Sequence, residues 1–327
     1  MRCTIVGVGA TGARVARQLA ADSDIDELRL VDPDRDRSSS VARSIGDPAV
    51  AGATAYDPAI PADVVVLAGP PGRHRLQAEL ALGAGADVVS VADSVEDVRA
   101  LLELDAVAAR HGRRVIVGAG FSPGLSCLLA RHAATTLDGV DEIHVAKTGT
   151  GGPACARQRH RALAGGAVDY REGAWVQRRG RTGRELCWFP DPVGAVDCYR
   201  ASLPEVHLLV PAFPGVSRVT ARISATRRDR LTALLPMMRP PHAEGGPGAV
   251  RVEIRGRRGS ERNVVLLGAM DHPAVAAGAV AAVAVRFVRD GALGEPGARG
   301  LASIDDPLPM LRDLERRGVI AAVFEGS

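Results

Sequence analysis

Three glycines near the amino terminus, Gly7, Gly9 and Gly12 in TIVGVGATG, stand at the spacing of a phosphate-cradling turn. Each has a separate physical task. Gly7 permits a tight turn after a strand, Gly9 lets the backbone come against a pyrophosphate, and Gly12 lets a helix sit close on the strand. Ala10 and Thr11 lie between them, at a helix start whose free N–H groups and dipole favour a phosphate. Glycine is common and the bare spacing arises by chance, so context decides. Here the strand pattern CTIVG runs into the first glycine, the helical pattern ARVARQLAAD follows the third, and Asp32 ends a second strand pattern twenty residues after Gly12. A carboxylate at that point accepts hydrogen bonds from a ribose diol and repels a 2′-phosphate, so NAD is expected ahead of NADP. Arg35 and Arg37 follow directly. They suit a 2′-phosphate if their loop folds back, which leaves NADP possible, or they are solvated residues of a helix start.

A second cluster follows a strand pattern that ends at Lys147. In KTGTGGPACARQRHR a glycine turn leads to Arg157, Arg159, His160 and Arg161. Arginine suits bidentate carboxylate recognition, and a Lys or His beside a reacting nitrogen can give or take a proton. Lys147 and His160 are therefore candidates for proton handling, and Arg157 and Arg159 for holding a substrate carboxylate. A basic surface helix is the plainer alternative. His74, in GPPGRHR, covers a helix start and stays outside the catalytic set. Trp175, Trp188, Phe189 and Tyr199 can line a pocket or an interface, with core packing the default.

The elements that must position these residues are legible in outline. Through the first third, buried strands of four to seven apolar residues (LRLVD, DVVVLAG, DVVSVAD, RRVIVGAG) alternate with helical stretches, the pattern of βαβ units and a doubly wound parallel sheet. Ser94 caps the helix that begins SVED, and Gly112 ends it. Ligands of such sheets bind outside the carboxyl ends of the strands. This singles out Gly69 and Pro70, then Asp93, then the segment Gly118 to Pro123. Asp93 has helix capping as its structural alternative. After about Gly120 the segments VDEIHVAKTGTGG, HLLVPAF, VSRVTARISAT and AVRVEIRGR read as strands of a mostly antiparallel α+β domain. From about Gly268 the chain reads as helical, with an Ala/Val-rich helix starting at Asp271 and Pro273 and an amphipathic one in LPMLRDLERRGV.

Composition excludes several classes. The chain has 327 residues, 46% hydrophobic and 24% charged, which suits a two-domain globular protein. Its 41 basic and 38 acidic residues leave a net charge of +3, which gives no electrostatic reason to expect nucleic acid. Aromatics are 3%, so the core must be built from Ala, Val and Leu. Five scattered cysteines lack metal-ligand spacing and a disulfide framework, so no metal is expected and a reducing cytoplasm fits best. No signal-peptide pattern opens the chain, and the apolar stretch from Pro273 to Val285 is too short for a membrane span.

GFSPGLSCLLARH after VIVGAG resembles the saccharopine dehydrogenase and saccharopine reductase superfamily, as do GVGATGARVARQLA and AELALGAGADVVSVAD. VAAVAVRFVRDGAL with LPMLRDLERRGVI resembles the carboxy-terminal region of lysine 6-dehydrogenase in the same superfamily. The resemblance covers the first 130 residues and the last 60, and the fifth strand lacks the Tyr often found before its Asp. It implies an α/β protein with a Rossmann domain over residues 1–122, an α+β substrate and dimerisation domain over 123–267, and carboxy-terminal helices over 268–327 packing back on the first domain. It also implies hydride transfer between NAD and a carbon bonded to nitrogen in an amino-acid-like substrate, in a homodimer, with Gly120, Phe121 and Pro123 beside the nicotinamide. Two other readings stay open: an oxidoreductase of the same fold acting on an alcohol or aldehyde, and an NAD(P)-binding sensor or scaffold without catalysis.

Overall fold

A computed structural model describes residues 1–237 and 240–323. Its first part runs β1 (Arg2–Val6), α1 (Ala10–Ala20), β2 (Glu27–Val31), α2 (Arg35–Ile45), β3 (Val50–Ala53), β4 (Val64–Leu67), α3 (His74–Gly83), β5 (Asp87–Ser90), α4 (Val95–Leu102), α5 (Asp105–Arg110) and β6 (Arg114–Val117). These strands pair in parallel in the order β3, β2, β1, β4, β5, β6, so the chain reverses direction across the sheet between β1 and β4. β4 and β5 are buried along their whole length, because helices cover both faces and leave no solvent side to carry polar residues. The edge strand β3 escapes the sequence pattern: VAGA has one β-branched residue and no alternation. Ser94 caps α4 by accepting from the amide of Asp97, and Asp34 does the same for α2.

The second part comprises α6 (Leu125–Ala134), β7 (Gly139–Thr148), α7 (Pro153–Ala164), β8 (Ala167–Arg171), β9 (Ala174–Arg178), β10 (Glu185–Trp188), β11 (Ala195–Arg200), α8 (Glu205–Ala212), β12 (Arg218–Ser224), α9 (Arg227–Thr232), β13 (Gly248–Arg258) and β14 (Glu261–Asp271). The sheet order is β10, β11, β12, β7, β13, β14, with β8 and β9 branching from β12. Every pair is antiparallel except β12 with β7. HLLVPAF, expected as a strand, lies in α8. Its buried positions are Glu205, Val206, Leu208, Leu209 and Ala212, which repeat at helical rather than alternating spacing. A short apolar run does not reveal which period it will adopt, and packing against the core decides.

The carboxy-terminal stretch holds α10 (Pro273–Arg289), β15 (Gly297–Gly300), α11 (Leu308–Arg316) and β16 (Ala321–Val323). α10 lies back on α1 of the first domain, as the resemblance implies. This stretch also supplies strands. β15 adds a seventh parallel strand beside β6, and β16 pairs with β14 of the second sheet. β15 reads GARG and carries no strand signal; it is placed by its ladder and by the carboxylate of Asp105, which accepts from the Ala298 amide at 2.8 Å. Among the described residues no helix is long and apolar enough to cross a membrane.

The contact of α10 with α1 depends on one missing atom. A Cβ on Gly278 would stand 2.6 Å from the Cβ of Arg14 and 3.0 Å from its carbonyl carbon. Gly278→Val is expected to force the helices apart and cost about 1–3 kcal/mol, the usual range for overpacking a tight interior. The urea midpoint measures it; an unchanged midpoint would contradict this packing.

Candidate functional site

A groove of about 480 Å³ runs along the carboxyl ends of β1, β2 and β4. Its floor is the glycine turn, and the three glycines divide the work. A Cβ on Gly7, whose φ is +97°, would lie 2.4 Å from the amide nitrogen of Gly69, so β1 and β4 end in backbone contact. A Cβ on Gly12 would lie 1.9 Å from the carbonyl oxygen of Gly7, which holds α1 against the turn. A Cβ on Gly9 would meet nothing within 4 Å and would point into open space. Gly9 is also the N-cap of α1 and offers no side-chain acceptor, so the first N–H groups of the helix are available to an anion. Ala10, Thr11, Gly69 and Pro70 line the same groove.

Asp32 closes its far end. One carboxylate oxygen accepts from the Val8 amide at 2.8 Å, and the other from the Asp34 amide at 3.0 Å and from Arg37 at 3.3 Å. The buried carboxylate therefore braces the glycine turn and presents acceptors to the groove. Glycine turn, uncapped helix start and carboxylate fit the pyrophosphate and adenosine ribose of NAD. Arg37 stands in the groove wall, whereas Arg35 does not line it. The second domain covers the groove: Gly152 lies against Ala10, and Arg14 pairs with Glu244 at 2.8 Å.

The groove continues into a smaller cavity of about 90 Å³, with Thr11, Gly151 and Cys155 lining both. Here the two domains meet. The Rossmann domain contributes Asp93, from the segment after β5, and Gly120, Phe121 and Pro123, from the loop after β6. That loop folds on itself, with the Gly120 amide donating to the Pro123 carbonyl at 3.0 Å and the Leu125 amide to the Gly120 carbonyl at 2.9 Å. The second domain contributes Lys147 from β7, and Cys155 and Arg159 from α7. Lys147 Nζ donates to the Ser122 carbonyl at 2.7 Å and to Glu205 Oε1 at 2.9 Å, and Ser122 Oγ donates to the same oxygen at 2.7 Å.

Charge in this cavity is balanced by name. Burial works against the Lys147 ammonium, but Glu205 and Asp93 outweigh it and hold the pKa above the ordinary lysine value. Burial raises the Asp93 carboxyl above the usual carboxylate range; Lys147 and a hydrogen bond from the Cys155 thiol pull against that rise without cancelling it. The Cys155 thiol is itself pushed up to about 12, first by burial and then by Asp93. The site thus holds a fixed cation, a neutral thiol and a carboxyl group that keeps its proton to higher pH than an exposed one.

The candidates on α7 part company. Arg157 and Arg159 are two residues apart, a turn of about 200° on a helix, so they face opposite ways. Arg159 reaches the small cavity, where it also donates to the Ser224 carbonyl at 2.6 Å; Arg157 lines the cofactor groove instead of the substrate side. His160 lines neither, and its Nε2 donates to the Leu235 carbonyl at 2.8 Å. The expectation that His160 handles a proton and Arg157 a substrate carboxylate gives way to this placement. Sequence reading passed over Glu205, Ser122 and Cys155. Glu205 carried a signal, a lone acid at the head of the apolar run VHLLV, which needs a buried partner. His74, left outside the catalytic set, is buried and structural: Nε2 donates to the Gly69 carbonyl at 3.0 Å and Nδ1 meets Ser90 Oγ at 2.8 Å, tying the ends of β4 and β5 together.

Two outcomes follow from this geometry. Gly9→Asp leaves the fold intact and weakens NAD about a hundredfold, since like charges about 4 Å apart near a surface repel by ~1–4 kcal/mol; Gly12→Val unfolds the domain. Calorimetric titration with circular dichroism separates the two, and normal NAD binding by the Gly9 variant would refute the groove. Lys147→Met strands the fully buried Glu205 carboxylate and costs about 3–5 kcal/mol, part of which returns when Glu205→Gln is added. Equal urea midpoints for wild type and the Lys147 variant would contradict the pair.

Comparison with known proteins agrees with the groove and the fold. Residues 1–119 match the oxidoreductase family with an NAD-binding Rossmann fold. No curated protein sequence matches the chain. Among solved structures, apo saccharopine dehydrogenase (L-Glu forming) from Saccharomyces cerevisiae is similar with a TM-score of 0.70 at 14% identity, over 99% of this chain and 100% of that one. An amine dehydrogenase from Mycobacterium smegmatis gives 0.52 at 13% identity, over 94% and 96% of the two chains. The DAP dehydrogenase of C. glutamicum in complex with DAP gives 0.51 at 17%, over 97% and 98%. Residues 1–119 are thus similar to an NAD-binding Rossmann module, and the fold along the length of the chain is shared with saccharopine dehydrogenase.

Proposed function

We propose that this protein is an NAD-dependent dehydrogenase acting on a C–N bond of an amino-acid-like substrate. The observation that carries the reading is the meeting of Asp93, Lys147 and Cys155 around a cavity that opens directly onto the NAD groove. Bound NAD supplies the hydride acceptor, or in its reduced form the donor. The protein's own residues must then manage one proton at the substrate nitrogen and hold one carboxylate. Asp93 suits the first task, since burial has raised its carboxyl. As carboxylate it takes a proton from the substrate ammonium before oxidation; as acid it returns one to the nitrogen in reduction.

Lys147 takes a different part from the one its residue type suggests. Its raised pKa makes it a poor proton shuttle and a firm counter-charge. Its charge lies close enough to Asp93 to pull against the rise of that carboxyl, and it offers a cationic wall to a substrate carboxylate, with Arg159 lining the same cavity. Cys155 lines the cavity with Asp93 and, with its thiol pushed up to about 12, is no nucleophile at neutral pH. A homodimer belongs to the same reading, and exposed Leu186 and Trp188 on the edge strand β10 are available to it.

The sign of the pH dependence follows from Asp93. Amine oxidation needs its carboxylate, so kcat/KM falls as pH drops through the raised pKa; imine reduction needs its acid, so the rate falls as pH rises through it. Asp93→Asn removes that limb and lowers kcat by about 10²–10⁴. The assay is NADH formation with a panel of amino acids and their hydroxy analogues. Turnover of hydroxy acids alone would favour an alcohol dehydrogenase, and NAD binding without turnover of either series would favour a non-catalytic sensor.

A further inference from the structure

Behind the small cavity lies a chamber of about 1080 Å³, with Thr148 and Arg159 lining both spaces. The partition is thin. Ser224 Oγ donates to Thr148 Oγ1 at 2.7 Å, and Arg159 donates to the Ser224 carbonyl at 2.6 Å. Thr148 directly follows Lys147 at the end of β7, so the two spaces adjoin at this strand end.

The chamber is strongly cationic. Six arginines line it against two carboxylates, Asp197 and Asp229, a formal charge of +4. Both acids are taken: Arg184 pairs with Asp197 at 2.9 Å and Arg159 with Asp229 at 3.2 Å. Among the described residues no carboxylate pairs with Arg179, Arg181, Arg227 or Arg230. Two of these four are held in place. Arg230 lies over the Tyr199 ring, 4.1 Å from its centre, and donates to the Tyr199 hydroxyl at 3.0 Å. Arg181 donates through its amide to the Arg200 carbonyl at 2.7 Å and through its guanidinium to the Arg230 carbonyl at 3.3 Å. The Nε atoms of both are buried and have no hydrogen-bond partner among the described residues. Four guanidinium groups without a carboxylate partner in one space repel one another, and a folded chain keeps such a cluster together most readily where an anion answers it.

We infer that the chamber binds the non-reacting end of the substrate, and that this end carries at least two negative charges on oxyanion groups, as phosphate or as several carboxylates. The inference rests on the small cavity being the reaction site. A single carboxylate would leave most of the charge and most of the volume unanswered, because 1080 Å³ is at the upper end of small-molecule pockets. The reacting nitrogen would lie by Asp93, Arg159 and Thr148 would flank the middle of the molecule, and its anionic end would meet Arg181, Arg227 and Arg230.

Titration of the NAD-saturated protein at low salt tests this, with inorganic pyrophosphate and tricarballylate as separate probes; saturation keeps pyrophosphate out of the cofactor groove. One equivalent of at least one probe is expected to bind, about tenfold more weakly to Arg181→Gln and to the exposed-site variant Arg227→Gln, with NAD affinity unchanged in both. Tighter pyrophosphate points to a phosphorylated substrate, and tighter tricarballylate to a polycarboxylate. Binding of neither probe, or binding that both variants leave unaltered, overturns the chamber as an anion site. Where an amine substrate turns over, the bound probe should inhibit competitively against it and not against NAD; any other pattern refutes the link to the substrate site. Because binding is read without turnover, failure of the dehydrogenase reading stays distinct from failure of the chamber.

Discussion

The fully buried carboxylate of Glu205 is the constraint on which the rest of this site depends. A carboxylate out of water must be paired, and the desolvation of two ions is offset only when geometry and further hydrogen bonds are good. Here the partner is Lys147; its ammonium and the Ser122 hydroxyl both donate to Oε1, the Ser122 carbonyl takes a second bond from the ammonium, and Oε2 is buried without a hydrogen-bond partner among the described residues. Three distant stretches of chain are thereby tied: the loop leaving the Rossmann sheet after β6, the strand β7, and the start of α8. One buried acid ties the two domains together at their junction.

That junction sets the electrostatics facing the cavity. Lys147 lies between two carboxyl groups that do different things. Glu205 is sealed away and helps keep the ammonium charged, while Asp93 lines the cavity with its carboxyl raised by burial. The same closure brings Gly152 onto Ala10 and Glu244 onto Arg14, so the second domain roofs the cofactor groove as well as walling the cavity. α10 holds the arrangement from behind, through its close contact with α1 at Gly278.

What the sequence revealed was whatever is encoded locally. Gly7, Gly9, Gly12 and Asp32 fall within one βαβ unit, so their spacing together with the flanking strand and helix patterns points to the groove, and the strand ends at Gly69, Asp93 and Gly120 follow from the rule that ligands meet the carboxyl edge. Long-range features stayed hidden. α8 reads as a strand because a short apolar run has no decisive period, and β15 reads as nothing because GARG is held by its neighbours. Arg157 and Arg159 looked equivalent until the helix turned them to opposite sides. The cationic chamber gathers residues from α7, the β9 to β11 region and α9, and no spacing in the chain announces it.

The most direct test of the central claim is a crystal structure of the protein with NAD. It should show the adenosine ribose on Asp32, the pyrophosphate over Gly9 at the start of α1, and the nicotinamide entering the cavity beside Asp93 and Lys147. A nicotinamide directed away from that cavity, with Asp93 and Lys147 remote from it, would contradict the account.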